Sequence, residues 1–210
     1  AVAGDARGGE AAASEPQEAA RTPAGLESEE MRICGLDLRV LRRKSDFFQA
    51  CAGDLPMQST GLVLWECGVL LADYLGYARW LGASGAGGGE GQPTERPWWM
   101  IHEPAPVVPS KFWRAPENAI LELGGGCGLV AAVMATLGAR VVCTDGDPDA
   151  LRIAARNCAD ARERHCEERK GDWGRVDFCN LKFGSPDAAR KVAERGPFGF
   201  VVGSDLLYGD

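Results

Sequence analysis

The chain has 210 residues, 45% of them hydrophobic and 25% charged, enough apolar material for one globular core with appendages. Its formal charge of −7 is concentrated at the front, where the first thirty residues carry −5, so the near-neutral remainder offers no basic footprint for nucleic acid and better suits a cationic partner such as a lysine-bearing protein. Eight scattered cysteines without a CxxC pair argue against a disulfide framework, His102 and His165 in no ligand spacing argue against zinc, and no apolar run approaches a membrane span or a signal peptide.

Residues 1–30 are rich in Ala, Glu, Gly and Pro and are expected to form a disordered acidic tail, because so few large apolar side chains cannot offset the ordering entropy. The domain is expected to run from 31 to 210. ICGLDLRVL (33–41) suggests a strand or small hairpin turning at Gly35. In STGLVLWECGVLLADYLG (59–76), Leu64, Cys67, Gly68, Leu71 and Leu75 recur at helical spacing behind a Ser59/Thr60 cap, predicting an amphipathic helix that stops at Gly76. A glycine cluster and then five prolines over 82–110 read as a loop passing into an extended segment inserted in the domain, with Trp98, Trp99 and Met100 docking back on the body.

From Asn118 the pattern becomes regular. NAILEL predicts a strand; Leu129, Ala132, Val133 and Leu137 predict a helix ended by Gly138; ARVVCTD predicts a second strand. Strand, helix, strand in about thirty residues is a right-handed βαβ unit of a parallel sheet. Asp147 as N-cap and Pro148 as first residue open another helix, with Leu151, Ala154, Ala155, Cys158 and Ala161 on one face. A weak strand at 166–172, a variable stretch and a buried strand at 197–205 complete an α/β, doubly wound, mostly parallel sheet.

LELGGGCG (121–128) ends the first strand of that unit, where open parallel sheets bind ligands, so its four glycines point to backbone lying close to one. No Gly-Lys-Ser/Thr follows, which excludes a phosphate loop, whereas G-C-G-L-V-A from Gly126 fits the looser dinucleotide fingerprint and leaves that ligand open. Glu122 decides between them. With Gly124, Gly126 and Gly128 it makes E-x-G-x-G-x-G, which resembles motif I of the class I, seven-β-strand S-adenosylmethionine-dependent methyltransferases. The resemblance implies a Rossmann-like methyltransferase fold, a strand-end carboxylate near the methionine part of S-adenosyl-L-methionine, and an acidic residue after the next strand bonding the ribose hydroxyls. Asp145 stands there, 23 residues after Glu122.

Three more stretches narrow the resemblance: TGLVLWECGVLLADYL (60–75), GDWG (171–174) and SDLLY (204–208) are similar to the protein lysine methyltransferases of D-x-x-Y type, over roughly 33–76 and 118–210. The resemblance implies cofactor contacts at Trp65, Asp172, Trp173 and Ser204, catalytic roles for Asp205 and Tyr208, and a non-histone protein lysine as acceptor; the scattered cysteines read as reduced, so a cytoplasmic and also nuclear location is expected, with a monomer as the expected state. Base-amino methylation is disfavoured because Leu206 and Leu207 stand where D/N-P-P-Y carries prolines. A small-molecule methyltransferase and a cofactor-binding scaffold without turnover remain as alternatives. The family's sheet continues beyond D-x-x-Y, so the expectation is a C-terminally incomplete sheet in which the 198–204 strand lies at an open edge. Gly125, in place of the commoner Ala or Ser, is expected to loosen the loop.

Overall fold

The computed structural model describes residues 25–43, 57–83, 119–169 and 173–206. Its first element is a hairpin, β1 (Leu26–Ile33) and β2 (Leu36–Arg43), paired antiparallel from Leu26↔Arg43 to Ile33↔Leu36. Cys34 and Gly35, both at positive φ, make the two-residue turn that right-twisted strands favour. Leu36, Leu38 and Val40 alternate inward, and the acids of β1 are matched across the ladder, Glu30 to Arg39 at 2.7 Å and Glu27 to Arg42 at 2.7 Å. Residues 26–30 are therefore strand, not tail. Their charges find partners nine to fifteen residues ahead.

Residues Met57–Leu62 form a short 3-10 turn, and helix α1 spans Glu66–Ala83. The expected helix thus begins seven residues late and does not stop at Gly76. A Cβ there would lie 2.6 Å from Cys34 Sγ, so the glycine lets α1 pack against the hairpin turn. Residues 84–110 of the Gly/Pro-rich insertion lie outside the described residues, as does the tail through residue 24.

The sheet is built from β3 (Ala119–Leu123), β4 (Arg140–Asp145), β5 (Arg175–Asn180) and β6 (Phe198–Gly203), all parallel in the order β5-β4-β3-β6. Between them run α2 (Leu129–Thr136), α3 (Pro148–Arg169) and α4 (Pro186–Ala193). Every residue of α2 is buried, which explains its apolar character all round. Gly138, at φ 83, closes it: Gly138 N–H donates to Ala135 O at 2.9 Å and Ala139 N–H to Met134 O at 3.1 Å, the paired bonds of a Schellman motif. Asp147 caps α3 by accepting the Asp149 amide at 2.8 Å, and Leu151, Ala154, Cys158 and Ala161 face the core.

Helices α1, α2 and α3 and the hairpin share one core with Ile120, Val141 and Cys143; α4 covers the other face, where Val192 meets Val142 and Cys179. The fold is the expected doubly wound α/β sheet. Its third strand is not at 166–172, because α3 continues to Arg169 with Cys166 and Glu167 exposed, and β5 occupies part of the stretch read as variable. Nor is β6 fully buried. Among the described residues it is a sheet edge, and Val201 is 60% exposed.

Candidate active site

The carboxyl ends of the four strands open into a cleft of about 890 Å³. Its floor is the loop from Gly124 to Cys127; Gly124, Gly126 and Gly128 sit at φ 61, 52 and 76, but Gly128, expected to contact the cofactor, is buried beneath the loop and does not line the cleft. Not all of the glycine is there for a ligand. A Cβ on Gly125 would overlap Cys143 Sγ, and one on Gly128 would sit 2.7 Å from Ala154 Cβ, so the loop is pressed onto β4 and α3. Gly125 therefore tightens the loop where loosening was expected.

Asp145 ends β4 and faces the cleft. Its Oδ2 accepts the Gly126 amide at 2.9 Å and its Oδ1 the Asp147 amide at 2.9 Å, so the carboxylate locks the loop to the strand and keeps further lone pairs for a ligand. Trp65 lines the cleft half-buried, its indole N–H donating to Thr60 O at 3.3 Å, and its own carbonyl takes the first amides of α1.

Glu122 is 3% exposed and also lines the cleft, yet its Oε2 is buried with no hydrogen-bond partner among the described residues. Burial pushes its carboxyl up to about 8; the Cys143 thiol's hydrogen bond pulls the other way, and the Asp145 charge adds to the rise. Such an orphan acceptor is what a site keeps for a polar or cationic guest.

Ser204 and Asp205 enter from the end of β6. Asp205 adopts φ 51, and its Oδ2 is likewise buried without a partner among the described residues. Beside it on α1 the exposed Cys67 thiol is held up in pKa chiefly by its hydrogen bond to Asp205. Leu206 lies over Gly124. Tyr208 and Asp172 lie outside the described residues.

Trp173 is not brought to the cleft. It precedes β5 instead of following it, at the opposite end of the sheet, where Gly174 N–H donates to Ala135 O at 2.8 Å. Its ring packs on the main core and meets His165 edge-on at 5.9 Å. The loop that does follow the third strand brings Leu181, Lys182 and Phe183, with Phe183 56% exposed. The V-D-F-C run of β5 was the available signal for that placement.

A glycine loop under a strand-end Glu and Asp, with a second acidic motif entering from β6, is the arrangement that the motif resemblance requires. A family model described as lysine methyltransferase matches residues 53–210, three quarters of the chain. The chain belongs to the lysine methyltransferase family. Comparison with curated proteins gives no match. The family assigns methyl transfer as the activity. The hairpin lies ahead of the matched residues. Among the described residues no helix is long and apolar enough to cross a membrane.

Proposed function

We propose that this methyltransferase moves a methyl group from S-adenosyl-L-methionine to the ε-amine of a lysine in a non-histone protein. One observation carries the reading: the carboxylates of Glu122, Asp145 and Asp205, at the ends of three neighbouring strands, border a single cleft around the glycine loop. The residues suit the cofactor. Asp145 retains acceptor capacity for the paired ribose hydroxyls, the Glu122 orphan oxygen awaits a polar or cationic group, and Gly124 and Gly126 line the cleft with bare main chain for the methionine end. Trp65 and Ser204 border it, and Phe183 offers an exposed ring for the adenine face, since Trp173 lies at the other end of the sheet.

When bound, the cofactor supplies a methyl already activated on a sulfonium, so the protein's work is positioning. A free lysine is neutral in only about one molecule in 2,500 at pH 7. The acceptor side must favour the neutral amine and take its proton. Asp205 orients the amine through its unpartnered oxygen and leads the proton away; Tyr208, outside the described residues, is the second catalytic residue that the motif resemblance implies. Aspartates outnumber cations along the cleft, Asp145, Asp147, Asp149 and Asp205 against Arg43 and Lys182, which favours a basic acceptor.

Incubation with methyl-labelled cofactor and a cell extract tests the reading. Label is expected on lysine in protein. Label in the small-molecule fraction would replace the protein substrate with a metabolite, and no label anywhere, with cofactor bound, would leave a scaffold without turnover.

A further inference from the structure

The glycine loop has little with which to hold itself in place. Between Gly124 and Gly128 its one side chain beyond hydrogen is Cys127, whose thiol reaches Leu62 O at 3.3 Å. Three of its residues sit at positive φ, and glycines lose more backbone freedom on ordering than other residues. Its first half is tied to β4 by the Asp145 carboxylate and by Gly125 N–H donating to Thr144 O at 2.8 Å, so something else must hold the Cys127 end.

That something is Asn157, on the buried face of α3 and 2% exposed. Its Nδ2 donates to Cys127 O at 2.8 Å and to Leu41 O at 3.0 Å, while its Oδ1 accepts the Leu41 amide at 2.8 Å. Both amide hydrogens and the carbonyl are used. Toward Leu41 the side chain behaves like one residue of a further strand, satisfying the β2 edge that β1 does not pair. Toward Cys127 it pins the turn of the loop. Two residues beyond Leu41, Arg43 lines the cleft itself. A segment outside the matched family region is thus wired through one amide to the cofactor floor.

We propose that Asn157 is a positioning residue for cofactor binding, coupling the hairpin 26–43 to the loop 124–128 and making the hairpin a working part of the site. This rests on the reading that the cleft takes S-adenosyl-L-methionine. Before binding, Asn157 holds the loop in its binding shape, so the ordering entropy is not charged against affinity. Asn157→Asp keeps the shape and the acceptor for Leu41 N–H but removes both donors and sets an acidic oxygen against two carbonyls.

The test uses the full chain and S-adenosyl-L-methionine. In Asn157→Asp the KM and Kd for the cofactor rise about tenfold or more with kcat little changed, and the amides of Gly125, Gly126 and Gly128 exchange faster, while the overall circular dichroism is kept. Because that variant could fail to fold, wild-type hydrogen exchange gives a second arm: cofactor slows exchange at the Leu41 amide together with the loop amides. A folded Asn157→Asp protein with wild-type affinity overturns the proposal, as does cofactor that protects the loop while leaving Leu41 unchanged. A wild-type protein with no affinity for the cofactor removes the functional reading beneath it and takes this proposal with it.

Discussion

The two sides of the cleft are built differently. On the β4 side, Asp145 is held by four hydrogen bonds: Gly126 and Asp147 donate to its carboxylate, and Leu181 N–H and the Asn180 side chain donate to its carbonyl at 2.9 and 3.0 Å. On the β6 side, Asp205 stands in a left-handed conformation at the sheet edge with a buried oxygen unsatisfied among the described residues. A carboxylate anchored this way is shaped before its ligand arrives, which suits a cofactor recognised in one geometry. An unsatisfied carboxylate in strained backbone is held ready for a donor that comes and goes, which suits the acceptor amine. Glu122 stands between them, preorganised by burial, with one oxygen unpartnered among the described residues.

The sharpest way to break that comparison is Asp205→Ala. If the β6 side serves only the acceptor, kcat falls by about a thousandfold while cofactor affinity stays within about twofold, since positioned proton transfer contributes on that order. Stopped methyl transfer with intact binding is the expected outcome in a labelled-methyl assay beside calorimetry. An equal loss of both would merge the two sides into one.

Next in size is Glu122→Gln. The folded carboxyl holds its proton to about 8, whereas the unfolded chain releases it near the ordinary value of 4.5, so between these pH values the unfolded state binds fewer protons and stability falls as pH rises. At pH 7 that amounts to at most about 3 kcal/mol, by 1.36 kcal/mol per unit. Glu122→Gln removes the ionisable group: thermal or urea unfolding is expected to show greater stability at pH 7 and a flatter profile from 4.5 to 8, with weaker cofactor binding. That trade of stability for function is typical of a destabilised site residue. Equal stability at all pH values would contradict the buried, unpaired carboxyl.

Smallest, and aimed at the two aromatic rings, is the pair Phe183→Ala and Trp173→Ala. Loss of the cleft ring is expected to raise the cofactor KM about five- to tenfold with little change in stability, on the scale of one stacking contact. Loss of Trp173 is expected to lower the melting temperature and leave cofactor affinity within about twofold, because its ring packs on the core. The reverse pattern would return the adenine to the far end of the sheet.

The sequence made the β3–α2–β4 unit readable because its signals are local: a helical period, a glycine at the left-handed cap, and a proline behind an aspartate. Glu122, Asp145, Ser204, Asp205 and Trp65 all line one cleft. The third strand was misplaced because α3 runs on through exposed Cys166 and Glu167, and β5, at the sheet edge, is mostly half-buried, which weakens alternation. That one-element error carried Trp173 to the wrong end. The start of β1 was missed for a different reason: Glu27 and Glu30 look like tail until paired with Arg42 and Arg39, and such pairing is invisible in a window of neighbours. Asn157 gave no periodic signal at all, since its importance is a matter of three hydrogen bonds, two of them spanning 116 residues.

Titration calorimetry of the full chain with S-adenosyl-L-methionine, wild type beside Asp145→Ala, tests the central claim most directly. The account predicts saturable binding of one molecule per chain, weakened about a hundredfold in the folded variant by loss of charge-assisted hydrogen bonds. No binding by the folded wild type, or equal binding by both proteins, would contradict it.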